Sequence, residues 1–393
     1  MLCRTFLLGT VLGIVGVGPL PAQRMKLLVP LDSLVAKAAR DSNDAPAHYE
    51  AALGFWVSNQ YDEAERHLRQ AIAIEPRTAQ AYLALSYLPF ARRPKLWDEI
   101  PKGKVPAELI DVVNEAYRFR RRAYLIDPMV DLKPLALMIP STGTFGLGKS
   151  ATRVYTYVMN GFGSFWDGQY AKAFSFLTEI AGDANEEDRK KFATWFLWYE
   201  GLAAAHIGEQ ARAIADFRLL LDRAVAREST DSSAIVPLGQ ANEVRYTLAV
   251  ILDNAGRTEE AVRLLQESLE NDLGLYPAHS RLAVILEEKH QYDRAVEERQ
   301  RAVAADPENP SLLLDLGSTL IKASQPEAAG SALQQAIDAN PRNARPYYLL
   351  GHVAEQLGAK DQAENAYTRF IELAPSRFST QIAEVRTRLA ALH

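Results

Sequence analysis

Tyr292-Asp-Arg-Ala295, Pro326-Glu-Ala-Ala329 and Lys360-Asp-Gln-Ala363 are the stretches that decide the fold. Their alanines lie 34 residues apart, and each is followed twelve residues later by a proline: Pro307, Pro341 and Pro375. A fixed period of this length marks an array of stacked helix pairs. No single unit of such an array covers its own apolar face, so stability comes from neighbours. An array of this kind presents surface, which points to binding before catalysis.

Working outward, the unit 310–343 places Leu313, Leu316, Gly317 and Leu320 at the apolar spacing of an amphipathic helix. Its second helix carries Ala329, Leu333 and Ala336, and Pro341 closes it. The closing proline lacks a backbone donor and clashes with the preceding turn, so the helix stops. The units 276–309 and 344–377 adjoin this one without a gap. The latter departs from the pattern at Phe370, where a small residue is expected. Upstream, 45–78 matches well through Ala52, Phe55, Tyr61, Ala64, Ala71 and Pro76. Residues 154–187, 194–227 and 242–275 match more loosely. A further unit begins at Tyr82, is interrupted near 88–107 by Pro89, Pro94, Pro101 and Pro106, and resumes near Ala107 to end at Pro128.

These residues resemble the tetratricopeptide repeat family. The resemblance covers about 45–377 and implies an all-α fold, a right-handed superhelical solenoid of antiparallel helix pairs in about eight units with an insertion and a linker. The expected organisation is a leader at 1–22, a capping segment at 23–44, repeat-like units at 45–128 and a Gly/Pro linker at 129–152. Divergent units follow at 153–227, then a second linker at 228–241, the clearest array at 242–377 and a capping helix at 378–393. Ile382, Val385 and Leu389 give that last segment its apolar face.

The resemblance also places a ligand in a concave groove lined by the first helix of each unit. Carried onto this chain, the groove face holds Tyr49, Trp56, Tyr87, Phe90, Phe162, Phe165, Trp195 and Trp198 in the N-terminal half. Tyr246, Arg345, Tyr348 and His352 lie on it in the C-terminal half. Trp and Tyr offer large rigid contact area and are favoured at recognition sites. The expected partner is another protein or an extended peptide. The family's Lys and Asn clamp for a chaperone tail is missing at the matching positions. A carbohydrate or cell-wall binder is the first alternative, because aromatic faces also stack on sugars.

Chemistry is sparse. Gly143-Thr-Phe-Gly-Leu-Gly148-Lys149-Ser150 fits the phosphate-loop pattern, in which backbone N–H groups cradle phosphates and the lysine reaches the outer ones. A nucleotide-binding protein is therefore the second alternative. The preceding run 135–139 makes a poor strand and helices follow, so the segment reads as a Gly-rich linker. The seven histidines are scattered, without H-E-x-x-H spacing and without a Cys/His cluster. No cofactor, metal or catalytic constellation is expected, and the chain reads as non-enzymatic.

With a mildly acidic net charge of −5 and no dominating block of basic residues, a broad basic field for nucleic acid is not expected. The densest basic run, Arg120-Arg121-Arg122, reads as a solvated helix face. At the N-terminus, Arg4 precedes the uncharged apolar stretch 5–18 and the small-residue site Leu20-Pro21-Ala22, the layout of a secretory leader. The single cysteine, Cys3, falls inside it. Export to the periplasm or beyond is the expectation, with an uncleaved inner-membrane anchor as the variant.

Overall fold

The computed structural model describes residues 25–93, 107–131, 138–140, 161, 163–165, 168–182, 189–190, 192, 194–228 and 240–392. The leader, Phe162, the phosphate-loop-like segment 143–150 and most of the 88–107, 129–152 and 228–241 segments lie outside them. The described chain is an all-α solenoid of helix pairs. A short antiparallel ribbon of β1 (Met25–Leu27) and β2 (Met138–Pro140) is the exception.

The helices run in order as α1 (Leu31–Arg40), α2 (Ala45–Val57), α3 (Tyr61–Ile74), α4 (Ala79–Arg92), α5 (Ala107–Ile126) and α6 (Tyr170–Ala181). Next come α7 (Thr194–Ile207), α8 (Gln210–Glu228), α9 (Ala241–Asn254), α10 (Thr258–Asn271), α11 (Tyr276–Glu288) and α12 (Tyr292–Ala305). The last five are α13 (Pro310–Lys322), α14 (Pro326–Ala339), α15 (Ala344–Gln356), α16 (Lys360–Leu373) and α17 (Ser379–Leu392). The second helix of a unit ends two residues before its proline at Pro76, Pro128, Pro307, Pro341 and Pro375. The residue before proline is driven out of the α region, which fixes that stop.

The turn inside each pair is equally regular. Asn59, Gly168, Gly208, Gly256, His290, Ser324 and Gly358 all have positive φ and all stand two residues before the second helix. The next residue's N–H then reaches back five residues, as from Arg257 to Leu252 O at 2.8 Å and from Ala359 to Ala354 O at 2.8 Å. This is a Schellman closure, which satisfies orphan carbonyls at a helix end. Asn309 and Asn343 cap the helices that follow, accepting from Ser311 N at 3.2 Å and Arg345 N at 3.1 Å.

Small residues set the distance between paired helices. A Cβ added at Gly317 would fall 2.7 Å from Leu333, and one at Gly201 would fall 2.9 Å from Phe217. Those contacts are far below van der Waals separation, so only glycine fits. Pro89 corrects one expectation. It lies inside α4, which continues to Arg92, rather than opening the interruption. The extra turn is held by Arg92, which pairs with Glu65 at 2.8 Å and Asp62 at 2.6 Å.

The contacts divide the chain into two compact units, described here separately. The first comprises residues 1–31, 52–68 and 79–264, and the second 32–51, 69–78 and 265–393. In the second unit, Leu320, Leu333, Ile337, Leu350 and Val353 form the core of the last repeats. Tyr367, Phe370 and Val385 form another beneath α17, with Ile382 and Leu389 packed against it. The unexpected Phe370 thus fills the wider gap between the last repeat and its cap.

The second unit also contains a contact that the repeat pattern does not announce. The turn 41–44 and the end of α3 bond to the last repeats. Asn340 Nδ2 donates to Ala73 O at 3.2 Å and Ile74 O at 3.1 Å, and Asn43 Nδ2 donates to Leu373 O at 2.9 Å. Each asparagine thereby satisfies the last carbonyls of a helix distant in sequence. Ion pairs Arg377–Asp44 at 2.5 Å and Arg345–Glu75 at 3.2 Å flank them.

Candidate functional site

In the first unit, α4, α5 and α7 bring an aromatic cluster together. Tyr117, Arg120 and Tyr124 fall on one face of α5, since residues three, four and seven apart stack along a helix. Tyr87 and Phe90 come from α4, and Trp195, Trp198 and Tyr199 from α7. The rings pack on one another. Tyr124 meets Trp198 edge-on with centroids 5.4 Å apart, and Phe165 meets Tyr199 edge-on at 5.2 Å. Tyr87 Oη lies 3.4 Å from Tyr199 Oη.

This packing corrects the picture of an open aromatic groove. Trp56, Tyr87, Phe90, Phe165, Trp195, Trp198 and Tyr246 are all buried, and Tyr49 is half-buried. The spacing of these large rings suggests an exposed face, whereas burying their apolar area against neighbouring helices is the stronger demand. Phe162 lies outside the described residues. In the second unit Arg345 is exposed, and Tyr348 and His352 are half-buried. Tyr348 Oη donates to Glu384 at 2.8 Å, and His352 Nε2 lies 3.5 Å from the same carboxylate. Burial, and then Arg388, hold the His352 imidazole below its ordinary value, which favours the neutral ring.

Arg120 is the second correction. The basic run read as a solvated face splits: Arg121 is exposed and pairs with Glu243 at 2.6 Å, while Arg120 is only 6% exposed. Its guanidinium carbon lies 4.7 Å from the centroid of the Tyr87 ring. Burial pushes the Tyr87, Tyr124 and Tyr199 phenols well up, opposed in part by Arg120, so all three remain protonated donors at neutral pH. The spacing Tyr117-x-x-Arg120-x-x-x-Tyr124 was the available signal for this position, because it puts a cation and two phenols on one helix face.

Two other buried arginines each hold two carboxylates. Arg189 Nη2 donates to Glu200 Oε2 at 2.6 Å and also pairs with Asp216. Burial, reinforced by the Glu200 charge, pushes the Asp216 carboxyl up to about 7. Arg299 bonds to Glu287 at 3.0 Å and Asp315 at 3.0 Å, within a network that includes Thr319 and Lys322. Among the described residues no group of three or more His, Cys, Asp and Glu side chains gathers as a metal site. Nor is any described helix long and apolar enough to cross a membrane.

The tetratricopeptide repeat family matches residues 49–119, 246–310 and 314–377, together just over half of the sequence. The chain belongs to that family. Among curated proteins it is similar to the human protein O-mannosyl-transferase TMTC1, 26% identical over 37% of this chain and 17% of that protein. It is also similar to the type IV pilus assembly protein PilF of Pseudomonas aeruginosa, 30% identical over 30% of this chain and 48% of that one. The chain thus spans less than half the length of these relatives. Among solved structures, the C-terminal part of a repeat-containing protein from Cytophaga hutchinsonii aligns at a TM-score of 0.46 and 12% identity, covering 59% of this chain and 86% of that one.

Proposed function

We propose that this chain is a non-enzymatic scaffold of the cell envelope that binds a partner protein, or an extended segment of one, along the first-helix face of its repeats. The observation that carries this reading is the repeat itself. Glycines at the helix crossings and left-handed turns at a fixed period are spent on building a regular surface. Where carboxylates and arginines cluster, they pair with each other. Burial of the aromatic rings in the first unit works against the sugar-stacking alternative, which needs free ring faces. Envelope location is supported by the leader-like pattern of residues 1–22 and by likeness to a pilus assembly protein.

Site-directed photo-crosslinking in the producing cell tests the proposal. A photoreactive residue at Tyr348, on the first helix of its repeat, is expected to capture one discrete partner. The same residue at exposed Asn365, on the second helix, should not. Capture from Asn365 and not from Tyr348 would reject the assigned face.

A further inference from the structure

Arg120 differs from the other buried arginines, Arg189 and Arg299, among the described residues. A buried charge needs a partner and its hydrogen bonds. Arg189 and Arg299 are equally buried, and each has two carboxylates. Arg120 Nε has no hydrogen-bond partner, and among the described residues no carboxylate pairs with the guanidinium. The titratable groups around it are the phenols of Tyr87, Tyr199, Tyr124 and Tyr117, which are neutral at neutral pH.

Two more buried donors in the same cluster are orphaned. Tyr124 Oη and Trp198 Nε1 make no hydrogen bond of normal geometry either, although their rings are in edge contact and Tyr124 Oη also stands close to Tyr199. Buried donors are nearly always satisfied, so three unsatisfied together form an unusual group. All three can donate, one carries a full positive charge, and what is missing is an acceptor. The missing group therefore has several lone pairs and a charge of about −1. A carboxylate fits both requirements and matches a guanidinium in a planar, two-bonded pair. A phosphate dianion would leave an uncompensated negative charge in a buried aromatic setting, which is expensive.

We propose that Arg120, Tyr124 and Trp198 form a receptor for a carboxylate group brought by a ligand, with Tyr87 and Tyr199 as its aromatic wall. The source of that carboxylate, a peptide of the bound partner, rests on the scaffold reading above. The site itself rests only on the three donors.

The test is titration of the full chain, followed by tryptophan fluorescence and calorimetry. The probes are an acetylated pentapeptide ending in phenylalanine with a free carboxylate, its C-terminal amide, acetate and inorganic phosphate. The free-acid peptide is expected to saturate, and the amide to bind at least about tenfold more weakly, since a charged hydrogen-bond partner has been removed. Arg120→Gln should lose about tenfold or more, and Tyr124→Phe several-fold, both with unchanged far-ultraviolet circular dichroism. Should Arg120→Gln fail to fold, Tyr124→Phe and the acid–amide comparison on the wild-type chain still decide. Phosphate binding more tightly than either carboxylate, or no saturable carboxylate binding, overturns the site. Acetate binding as tightly as the peptide keeps the site and overturns the peptide source. Partner capture from Tyr348 that persists in Arg120→Gln overturns this cluster as the partner's anchor without touching the scaffold reading.

Discussion

Gly351 and Gly330 form a matched pair of glycines, and substituting each by alanine should move stability in opposite directions. Both lie within helices of the second unit, so the change in unfolded-chain entropy is the same for each. At Gly330 an added Cβ would meet Val353 at 3.6 Å and Leu350 at 4.0 Å, ordinary contact distances. Gly330→Ala should therefore stabilise by up to about 1 kcal/mol, the helix-propensity gain. At Gly351 the added Cβ would run into the ring of Tyr367, which is fully buried. Forcing atoms into a packed core costs about 1–3 kcal/mol. The ring cannot withdraw freely, because Tyr367 Oη donates to Glu355 at 2.6 Å and Glu355 also holds Arg388 at 2.9 Å. Loosening a hydrogen bond to a charged group removes about 1.5–3 kcal/mol more. After subtracting the propensity gain of about 1 kcal/mol, Gly351→Ala should destabilise by about 1.5–5 kcal/mol. Urea unfolding of the two variants beside the wild type measures both numbers. Gly351→Ala matching Gly330→Ala would refute close helix approach as the role of the small residue in this repeat.

The left-handed turns give a second prediction. His290 and Ser324 occupy positions where Gly256 and Gly358 stand in neighbouring units, at φ of 57°. A non-glycine residue there costs about 1–2 kcal/mol, so His290→Gly and Ser324→Gly should each raise the urea midpoint, most clearly together. Third, burial and then the Glu200 charge push the Asp216 carboxyl up to about 7 in the folded protein. An acid with a raised folded value contributes stability that is complete below its unfolded value, near 4, and is lost as pH rises through 7. Wild-type stability should fall between pH 5 and pH 8 partly through this group. Asp216→Asn should show a shallower fall in urea midpoints over the same range, and an unchanged slope would contradict the assignment. Fourth, Asn340→Ala leaves the Ala73 and Ile74 carbonyls without their donor, at a cost of about 1–3 kcal/mol. Hydrogen exchange in residues 32–51 and 69–78 should accelerate while the core of α13–α14 keeps its protection.

The repeat was legible because its signals are local. Prolines two residues past a helix end, and small residues at crossings, act through the backbone and show directly in the sequence. The same locality explains what was missed. Asn43 and Asn340 bond to carbonyls about 330 and 267 residues away, and no periodicity encodes such a partner. The aromatic residues were found as a group, but the choice between solvent and core was not written in their spacing. The first helices α7 and α9 are buried on nearly all sides, so their apolar patterning lacks the one-sidedness that separates a groove from a core. Arg120 was hidden by its neighbours. Inside a run of three arginines it resembles its exposed companions, and only its register with Tyr117 and Tyr124 sets it apart.

These arginines also differ in what an incoming acidic segment would have to displace. Arg345, on the face assigned to partner binding, already pairs with Glu75, and Arg388 holds Glu355 and Glu384. Arg299 and Arg189 are each neutralised twice. At all four, a ligand carboxylate gains only the difference between its own pairing and the one it replaces, and exchange between similar pairs yields little. At Arg120 the desolvation of the cation has already been incurred in the folded protein, with no carboxylate gain to offset it among the described residues. A carboxylate arriving there contributes its pairing energy almost undiminished, less the cost of its own desolvation. On the proposed reading, recognition of a carboxylate is therefore concentrated at Arg120, which among the described residues pairs with no carboxylate, rather than at arginines whose charge is already matched.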